Sequence, residues 1–199
     1  GVHLPTWIAP EIANLYDKVI SEAWRRNAVS EADGKRLKKI PLADLWQAHL
    51  CCKARLEKYI TQHPPVLGKL TLKNTDCLTI GFARRFATYK RAALIFKDIK
   101  RIKKILTHSQ RPVRIIFAGK AHPKDLPGKA VIKQIFKIVK QNGLQRHVLF
   151  LENYNMEMAR HLVAGVDIWL NNPRRPLEAS GTSGMKAAIN GVLNASILD

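Results

Sequence analysis

The chain has 199 residues, with 34 lysines and arginines against 15 aspartates and glutamates, which gives a formal net charge of +19 at pH 7. Hydrophobic residues (46%) and charged residues (25%) occur in globular proportions, which excludes a disordered or collagen-like chain. No apolar run is long enough for a membrane span, and the three cysteines form neither a disulfide framework nor a zinc spacing. The cysteine usage favours the cytoplasm, and the charge favours an anionic partner: nucleic acid, anionic lipid or a phosphate-bearing substrate.

The first part of the chain, residues 1–65, is predicted to be helical. Pro10 suits the first turn of a helix, and apolar residues follow it at helical spacing as far as Ile20. The polar stretch 27–39 is predicted as a loop. A second, longer helix is predicted over 42–60.

From residue 76 onward, strands alternate with helices. Short buried strands are predicted over 77–82, 112–118, 147–151 and 166–170. Helices are predicted over 92–106, 131–139 and 156–164, and around 185–189. This alternation predicts an α/β fold, a Rossmann-like parallel sheet with helices on both faces. We therefore predict two units, a helical segment (1–65) that packs on a sheet domain (76–199).

Basic residues follow the predicted strands. Arg84, Arg85 and Lys90 come after the first strand, and Lys120 after the second. After the fourth strand, a Gly-Thr-Ser-Gly turn opens the helix that contains Lys186. Ligands of parallel sheets bind beyond the carboxyl ends of the strands, and arginine forks with free backbone N–H groups bind oxyanions. The chemistry alone predicts a phosphate site with a lysine one step inside the helix.

The segment 178–186, Glu-Ala-Ser-Gly-Thr-Ser-Gly-Met-Lys, resembles the pyridoxal-phosphate lysine segment of the α-glucan (glycogen, starch or maltodextrin) phosphorylases. Further segments are similar to that family, in the family's order: 1–7 (GVHLPTW), 84–91 (RRFATYKR), 118–123 (AGKAHP) and 150–154 (FLENY). The resemblance covers essentially the whole chain and is closest to the shorter bacterial and archaeal branch. It implies the C-terminal half of a GT-B glycosyltransferase fold, truncated at both ends relative to the full enzyme.

The resemblance also implies roles for individual residues. Lys186 would hold pyridoxal 5′-phosphate covalently, and Arg85 and Lys90 would bind the substrate phosphate, so that these three form the catalytic group. The other cofactor-binding residues would be Arg84, Thr182, Ser183 and Gly184. The substrate-binding residues around the glucosyl unit would be Tyr89, Glu178, Ser180 and Gly181. No metal ligand is implied.

The implied activity is transfer of a glucosyl unit between an α-1,4-glucan and inorganic phosphate, which gives glucose 1-phosphate. In this family the cofactor acts through its phosphate group, next to the substrate phosphate. Two phosphates held close together repel each other, so several fixed cations are needed. No pair of protein carboxylates is required, unlike in most glycoside hydrolases, and acids are indeed scarce here. The expected partner is the preceding domain of the same enzyme, without which we expect no activity.

Two departures from the family pattern affect the site. Ala87 stands where longer members carry a histidine, and Ser183-Gly184 stands where animal and plant members have Gly-Asn. Two other functions stay open. A retaining glucosyltransferase that uses a nucleotide sugar would have no use for a buried lysine after Gly-Thr-Ser-Gly. A basic nucleic-acid-binding module would need a recognition helix or an aromatic-interleaved basic strand, and the sequence shows neither; we expect no specific nucleic acid and no membrane partner.

Overall fold

The computed structural model describes residues 2–27, 29–178 and 180–197. The outer bounds of the two predicted units, Gly1 and Asp199, lie outside the described residues. Its strands are β1 (Leu78–Ala83), β2 (Val113–Ala118), β3 (Val148–Leu151), β4 (Ile168–Asn171) and β5 (Leu193–Ser196). They form one sheet in the order β3-β2-β1-β4-β5, and every neighbouring pair is parallel. The predicted α/β class with a parallel sheet is confirmed.

Helices cover both faces of this sheet. Their bounds are α1 (Leu4–Trp7), α2 (Pro10–Ile20), α3 (Glu31–Leu37), α4 (Leu42–Gln62), α5 (Ile99–Leu106), α6 (Leu126–Gln141), α7 (Met156–Gly165) and α8 (Thr182–Ala188). Helices α4, α7 and α8 pack on one face and α5 and α6 on the other, while α2 packs outside α4. Among the residues described, no helix has both the length and the apolar character that a membrane span requires.

The core explains why the central strands carry apolar residues at nearly every position. All residues of β2 and β3 are buried, as expected for strands covered on both faces. Leu56 and Leu162 pack on one face of the sheet, and Leu106 and Ile135 pack on the other. Lysines fill the outer sides of α5 and α6 and are exposed, as the helical spacing predicts.

The predicted loop over 27–39 is wrong, because it contains α3. A capping box begins this helix: Asp33 N donates to Ser30 Oγ (3.1 Å), and Ser30 N donates to Asp33 Oδ2 (3.1 Å). These bonds satisfy backbone groups that a helix start leaves unpaired, which offsets the poor helix propensity of Gly34.

The single helix predicted over 92–106 is also wrong. A 3₁₀ helix, Ala92–Phe96, comes first, and α5 begins separately after Asp98. The Asp98 carboxylate caps α5 by accepting from Arg101 N (2.9 Å). The prediction also missed β5 and placed the starts of α6 and α8 too late. The division into units 1–65 and 76–199 stays a prediction.

A buried ion pair fastens α4 to the amino end of the sheet. Lys53 Nζ lies 2.5 Å from Asp167 Oδ2 and also donates to the Cys77 carbonyl (2.9 Å). His49 Nε2 donates to the other Asp167 oxygen (3.0 Å), and Thr79 N donates to Oδ2 (2.7 Å). Burial raises the pKa of Asp167, but the hydrogen bonds from His49, Lys53 and Thr79 outweigh it and hold the pKa below its ordinary value.

We predict that Asp167→Ala lowers the free energy of unfolding by about 3–5 kcal/mol, because it removes a carboxylate that the buried Lys53 ammonium, the His49 ring and the Thr79 backbone N–H all contact. Chemical denaturation at pH 7 measures this change. Asp44→Ala, an exposed first-turn residue of α4, is the control and should cost about 0.3–1 kcal/mol.

The same pair predicts the direction of the pH dependence. Because the pKa of Asp167 is lower in the folded than in the unfolded protein, its contribution is fully present above the ordinary carboxyl pKa and is lost as pH falls through the folded value. Asp167→Asn should therefore show less loss of stability between neutral and acid pH than the unchanged chain. An equal loss in both proteins would contradict this assignment.

Candidate functional site

The strand order places a crevice between two neighbouring strands. From β1 the chain moves outward through β2 and β3, and it then crosses back to β4 on the other side of β1. The carboxyl ends of β1 and β4 therefore meet at a point where the connections diverge, which is where open α/β sheets bind their ligands. Arg84 follows β1 directly, and Asn172 follows β4.

Backbone contacts with the loop after β2 fix the position of Arg84 beside this crevice. Its backbone N donates to the Ala118 carbonyl (3.0 Å), which continues the β1–β2 pairing by one residue. The next residue of the β2 loop, Gly119, has a φ of 151°. A Cβ at Gly119 would overlap the Arg84 carbonyl, so only glycine lets the two loops lie this close.

The Arg84 guanidinium is a buried cation with spare donors. Nη2 lies 3.2 Å from Ser183 Oγ, which also accepts from Trp169 Nε1 (3.1 Å). Within the described part of the chain, Arg84 Nε and Nη1 have no hydrogen-bond partner. Burial lowers the pKa of Arg84, yet an arginine stays protonated at neutral pH. A buried charge with unpaired donors costs free energy, and an oxyanion beside Ser183 would satisfy it.

A second cation, Lys90, lies against the same carboxylate as Arg84. Lys90 is 7% exposed and pairs with Glu178, whose Oε2 is also 3.8 Å from Arg84 Nη1. The Lys90 ammonium sits 4.6 Å from the centre of the Tyr89 ring. Burial raises the pKa of the Tyr89 hydroxyl, but Lys90 and Arg85 outweigh that effect and lower the pKa below its ordinary value.

Lys186 is half-buried on α8, one turn after Ser183. Its Nζ lies 3.6 Å from the centre of the Trp7 ring. Burial lowers the pKa of this ammonium, which increases the fraction of neutral amine able to act as a nucleophile. Gly184 lets α8 approach β5 closely, since a Cβ there would overlap the Asn194 amide.

A buried amide, Asn190, fixes Trp7 to the Lys186 helix. Asn190 is 1% exposed; its Oδ1 accepts from Ala9 N (2.6 Å), and its Nδ2 donates to the carbonyls of Trp7 and Lys186 (2.9 Å each). Sequence patterns do not reveal this role, because two of the three partners, Ala9 and Trp7, lie more than 180 positions from Asn190. The buried Trp169 also contributes more than packing, because its indole N–H donates to Ser183 Oγ.

The structure brings some predicted site residues together and leaves others apart. Arg84, Lys90 and Glu178 share one cluster, Ser183 contacts Arg84, and Tyr89 adjoins Lys90. Arg85 hydrogen-bonds the Tyr89 hydroxyl, and the other predicted residues make no side-chain hydrogen bond to this cluster in the part of the chain that the structure describes. Of these, Gly184 is buried, Gly181 and Lys186 are half-buried, and Arg85, Ser180 and Thr182 are exposed.

Fold and site together define an α/β protein with a cluster of cations and one carboxylate at the carboxyl ends of its parallel strands. The family model described as carbohydrate phosphorylase matches residues 3–199. The chain therefore belongs to the carbohydrate phosphorylase family.

Named relatives support this membership over the whole chain. The maltodextrin phosphorylase of Thermococcus litoralis is 48% identical, with 100% of this chain and 25% of the relative aligned. The glycogen phosphorylase of Aquifex aeolicus is 45% identical (100% and 30%), and that of Mycobacterium tuberculosis 41% (100% and 24%). The chain thus spans 24–30% of the length of these relatives.

We predict that Asn190→Ala costs about 1–3 kcal/mol of stability, because three backbone groups lose a buried partner. Asn14→Ala, an exposed position on α2, is the control and should be neutral or slightly stabilising, since alanine has the higher helix propensity. Thermal denaturation compares the two. Equal melting temperatures for both variants would contradict the role of Asn190.

Proposed function

We propose that this chain is the cofactor- and phosphate-binding part of an α-glucan phosphorylase, which transfers a glucosyl unit between an α-1,4-glucan and inorganic phosphate. One observation carries the proposal. Among the described residues, two donors of the Arg84 guanidinium, Nε and Nη1, have no hydrogen-bond partner, and its third nitrogen contacts Ser183, one helical turn before Lys186. Because Lys186 follows Ser183 by one helical turn, a single small molecule could place an anionic group at Arg84 and Ser183 and a reactive carbon at the Lys186 amine, whose pKa is lowered.

The residues present fit pyridoxal 5′-phosphate. Lys186 would hold its aldehyde, and Arg84 and Ser183, with the backbone of Thr182 and Gly184, would hold its phosphate group. When bound, the cofactor supplies a second phosphate that exchanges protons with the substrate phosphate. Trp169 keeps the Ser183 hydroxyl turned toward Arg84 by donating to it, and Asn190 holds Trp7 over Lys186.

The substrate phosphate would bind Lys90 and the exposed Arg85. Lys90 is paired with Glu178 in this structure, so an arriving phosphate would take over the ammonium and leave the Glu178 carboxylate free to accept from sugar hydroxyls. Tyr89, Ser180 and Gly181 complete the proposed glucosyl pocket. Because the cations are fixed before the substrate arrives, they offset the repulsion between two phosphates without reorganisation.

The complete activity belongs to a longer protein, as the relatives' lengths suggest. The remainder of that protein, including the domain expected before this chain, would cover the exposed rim at Arg85, Ser180 and Thr182. Water at an open rim weakens the electrostatic interactions on which this chemistry depends. Localisation in the cytoplasm stays a prediction.

We predict one pyridoxyl adduct on Lys186 after the chain is incubated with pyridoxal phosphate and reduced with borohydride. Peptide mass spectrometry locates the adduct. Arg84→Ala should lower its yield about tenfold at subsaturating cofactor, because a charge-assisted phosphate contact is lost. Pyridoxal without its phosphate should label Lys186 of the unchanged chain equally poorly.

Lys186→Gln and Lys133→Gln form the matched pair for this experiment. The first should abolish the adduct, and the second, which changes an exposed lysine of α6, should leave it unchanged. Adducts spread evenly over surface lysines would contradict a self-contained pocket, and the whole-length protein would then be tested in the same way. A chain that bound a nucleotide sugar but no pyridoxal phosphate would favour the other glucosyltransferase function.

We also predict that the 199-residue chain alone releases no glucose 1-phosphate from maltodextrin and phosphate, whereas the whole-length protein does. The reason is the open rim, which leaves the reacting groups in water. A coupled assay for glucose 1-phosphate measures both proteins. Phosphorolysis by the 199-residue chain would contradict this prediction, because the site would then be active without the remainder of the longer protein covering it.

A further inference from the structure

An arginine outside the predicted site set joins the two loops that form the site. Arg91 follows Lys90 at the end of the loop after β1, and the loop after β4 begins at Asn172. The Arg91 side chain reaches across to that second loop: Nε donates to the Asn172 carbonyl (2.8 Å), and Nη2 donates to the Pro173 carbonyl (3.0 Å). One guanidinium thus holds two consecutive carbonyls.

Backbone and amide contacts close the same junction from both sides. Arg174 N donates to the Tyr89 carbonyl (2.7 Å), and Asn172 Nδ2 donates to the Arg91 carbonyl (3.4 Å). Lys90 lies between these contacts on the first loop, and Glu178 follows them on the second. The junction therefore sets the separation at which Lys90 and Glu178 meet.

The backbone of Arg91 adopts a conformation that an arginine rarely takes. Its φ is 52° and its ψ is 40°, the left-handed region in which a Cβ is unfavourable. Glycine would satisfy this backbone at lower cost, so the side chain must contribute something that glycine lacks. Strained residues of this kind persist where surrounding contacts determine them, and they cluster at functional sites.

We propose that Arg91 is a positioning residue, which clamps the loop at Asn172 and Pro173 to the loop of Lys90 and thereby holds Lys90 against Glu178. The proposal rests on the function proposed above for Lys90, that of binding the substrate phosphate. Lysine cannot replace arginine here, because only the planar guanidinium presents two donors in the fixed directions that two neighbouring carbonyls need.

The test compares Arg91→Gly, Arg91→Ala and Arg91→Lys in the 199-residue chain. Acylation of Lys90 by a water-soluble acetylating reagent at fixed pH, followed by mass spectrometry, reports whether the ammonium is still protected by Glu178. In all three variants the Lys90 rate should rise toward that of the exposed Lys97, with Arg91→Lys intermediate. Arg146→Ala, an exposed arginine before β3, should leave the Lys90 rate unchanged.

The variant Arg91→Gly distinguishes a loss of Lys90 positioning from a general loss of stability. Arg91→Gly relieves the left-handed backbone, so its melting temperature should exceed that of Arg91→Ala, while both lose the clamp and expose Lys90 equally. A purely structural role would instead make the Lys90 rate follow the melting temperature. Ser21→Gly, at another non-glycine position with positive φ (64°), should raise the melting temperature without any change at Lys90.

Binding of inorganic phosphate, measured by calorimetry with the whole-length protein, distinguishes this proposal from the one it rests on. We expect Arg91→Gly to weaken phosphate binding by about tenfold, as for the loss of a well-placed charged contact. An unchanged Lys90 acylation rate in folded Arg91→Gly would overturn the clamp. If the unchanged protein bound no phosphate while Arg91→Gly still exposed Lys90, the positioning role of Arg91 would be supported. The proposed binding of phosphate by Lys90 would then be wrong.

Discussion

The largely buried carboxylate of Asp167, whose side chain is 11% exposed, is the constraint on which the rest of the structure depends. It lies at the start of β4 and binds Lys53 and His49 of α4 as well as the backbone of β1 at Thr79. One residue therefore fixes the two strands to each other and to the long helix outside them. A buried ion pair is seldom a large source of stability, but removing one partner is costly, and this makes the arrangement specific. The strands fixed at their amino ends in this way are the two whose carboxyl ends form the site.

Positive charge serves two physical purposes in this chain. At the carboxyl ends of β1 and β4, the Arg84 guanidinium and the Lys90 ammonium share Glu178, and among the described residues Arg84 Nε and Nη1 have no hydrogen-bond partner. Donors of this kind can bind an anion. The lysines of α5 and α6 are exposed on the outer sides of amphipathic helices, where water solvates them and salt screens them. Net charge alone therefore points to an anionic ligand, while burial identifies which few cations would hold it.

The sequence predicted those parts of the fold that follow from local pattern. The strands β1 to β4 are apolar runs covered on both faces, and their carboxyl ends could be placed because parallel strands end at the same edge. It failed at β5, where the polar Asn194 and Ser196 hide the pattern on an exposed edge strand. It also failed at α3, where the capping box of Ser30 outweighs Gly34. The contacts of Asn190 and Arg91 were beyond reach, because each depends on side-chain geometry between distant segments.

The pairing of Lys90 with Glu178 connects the fold to the proposed chemistry. A buried ammonium without an anion would cost several kcal/mol, so the ligand-free protein needs a carboxylate at this point. In the function proposed above, the same carboxylate would give way to phosphate, because two anions would compete for one cation. A loop that was free to move would let Glu178 leave and would also lose the position of Lys90. In the proposed mechanism, a loop held by Arg91, with Glu178 five residues beyond Pro173, would keep the ammonium in place while the carboxylate turned from the cation toward the sugar.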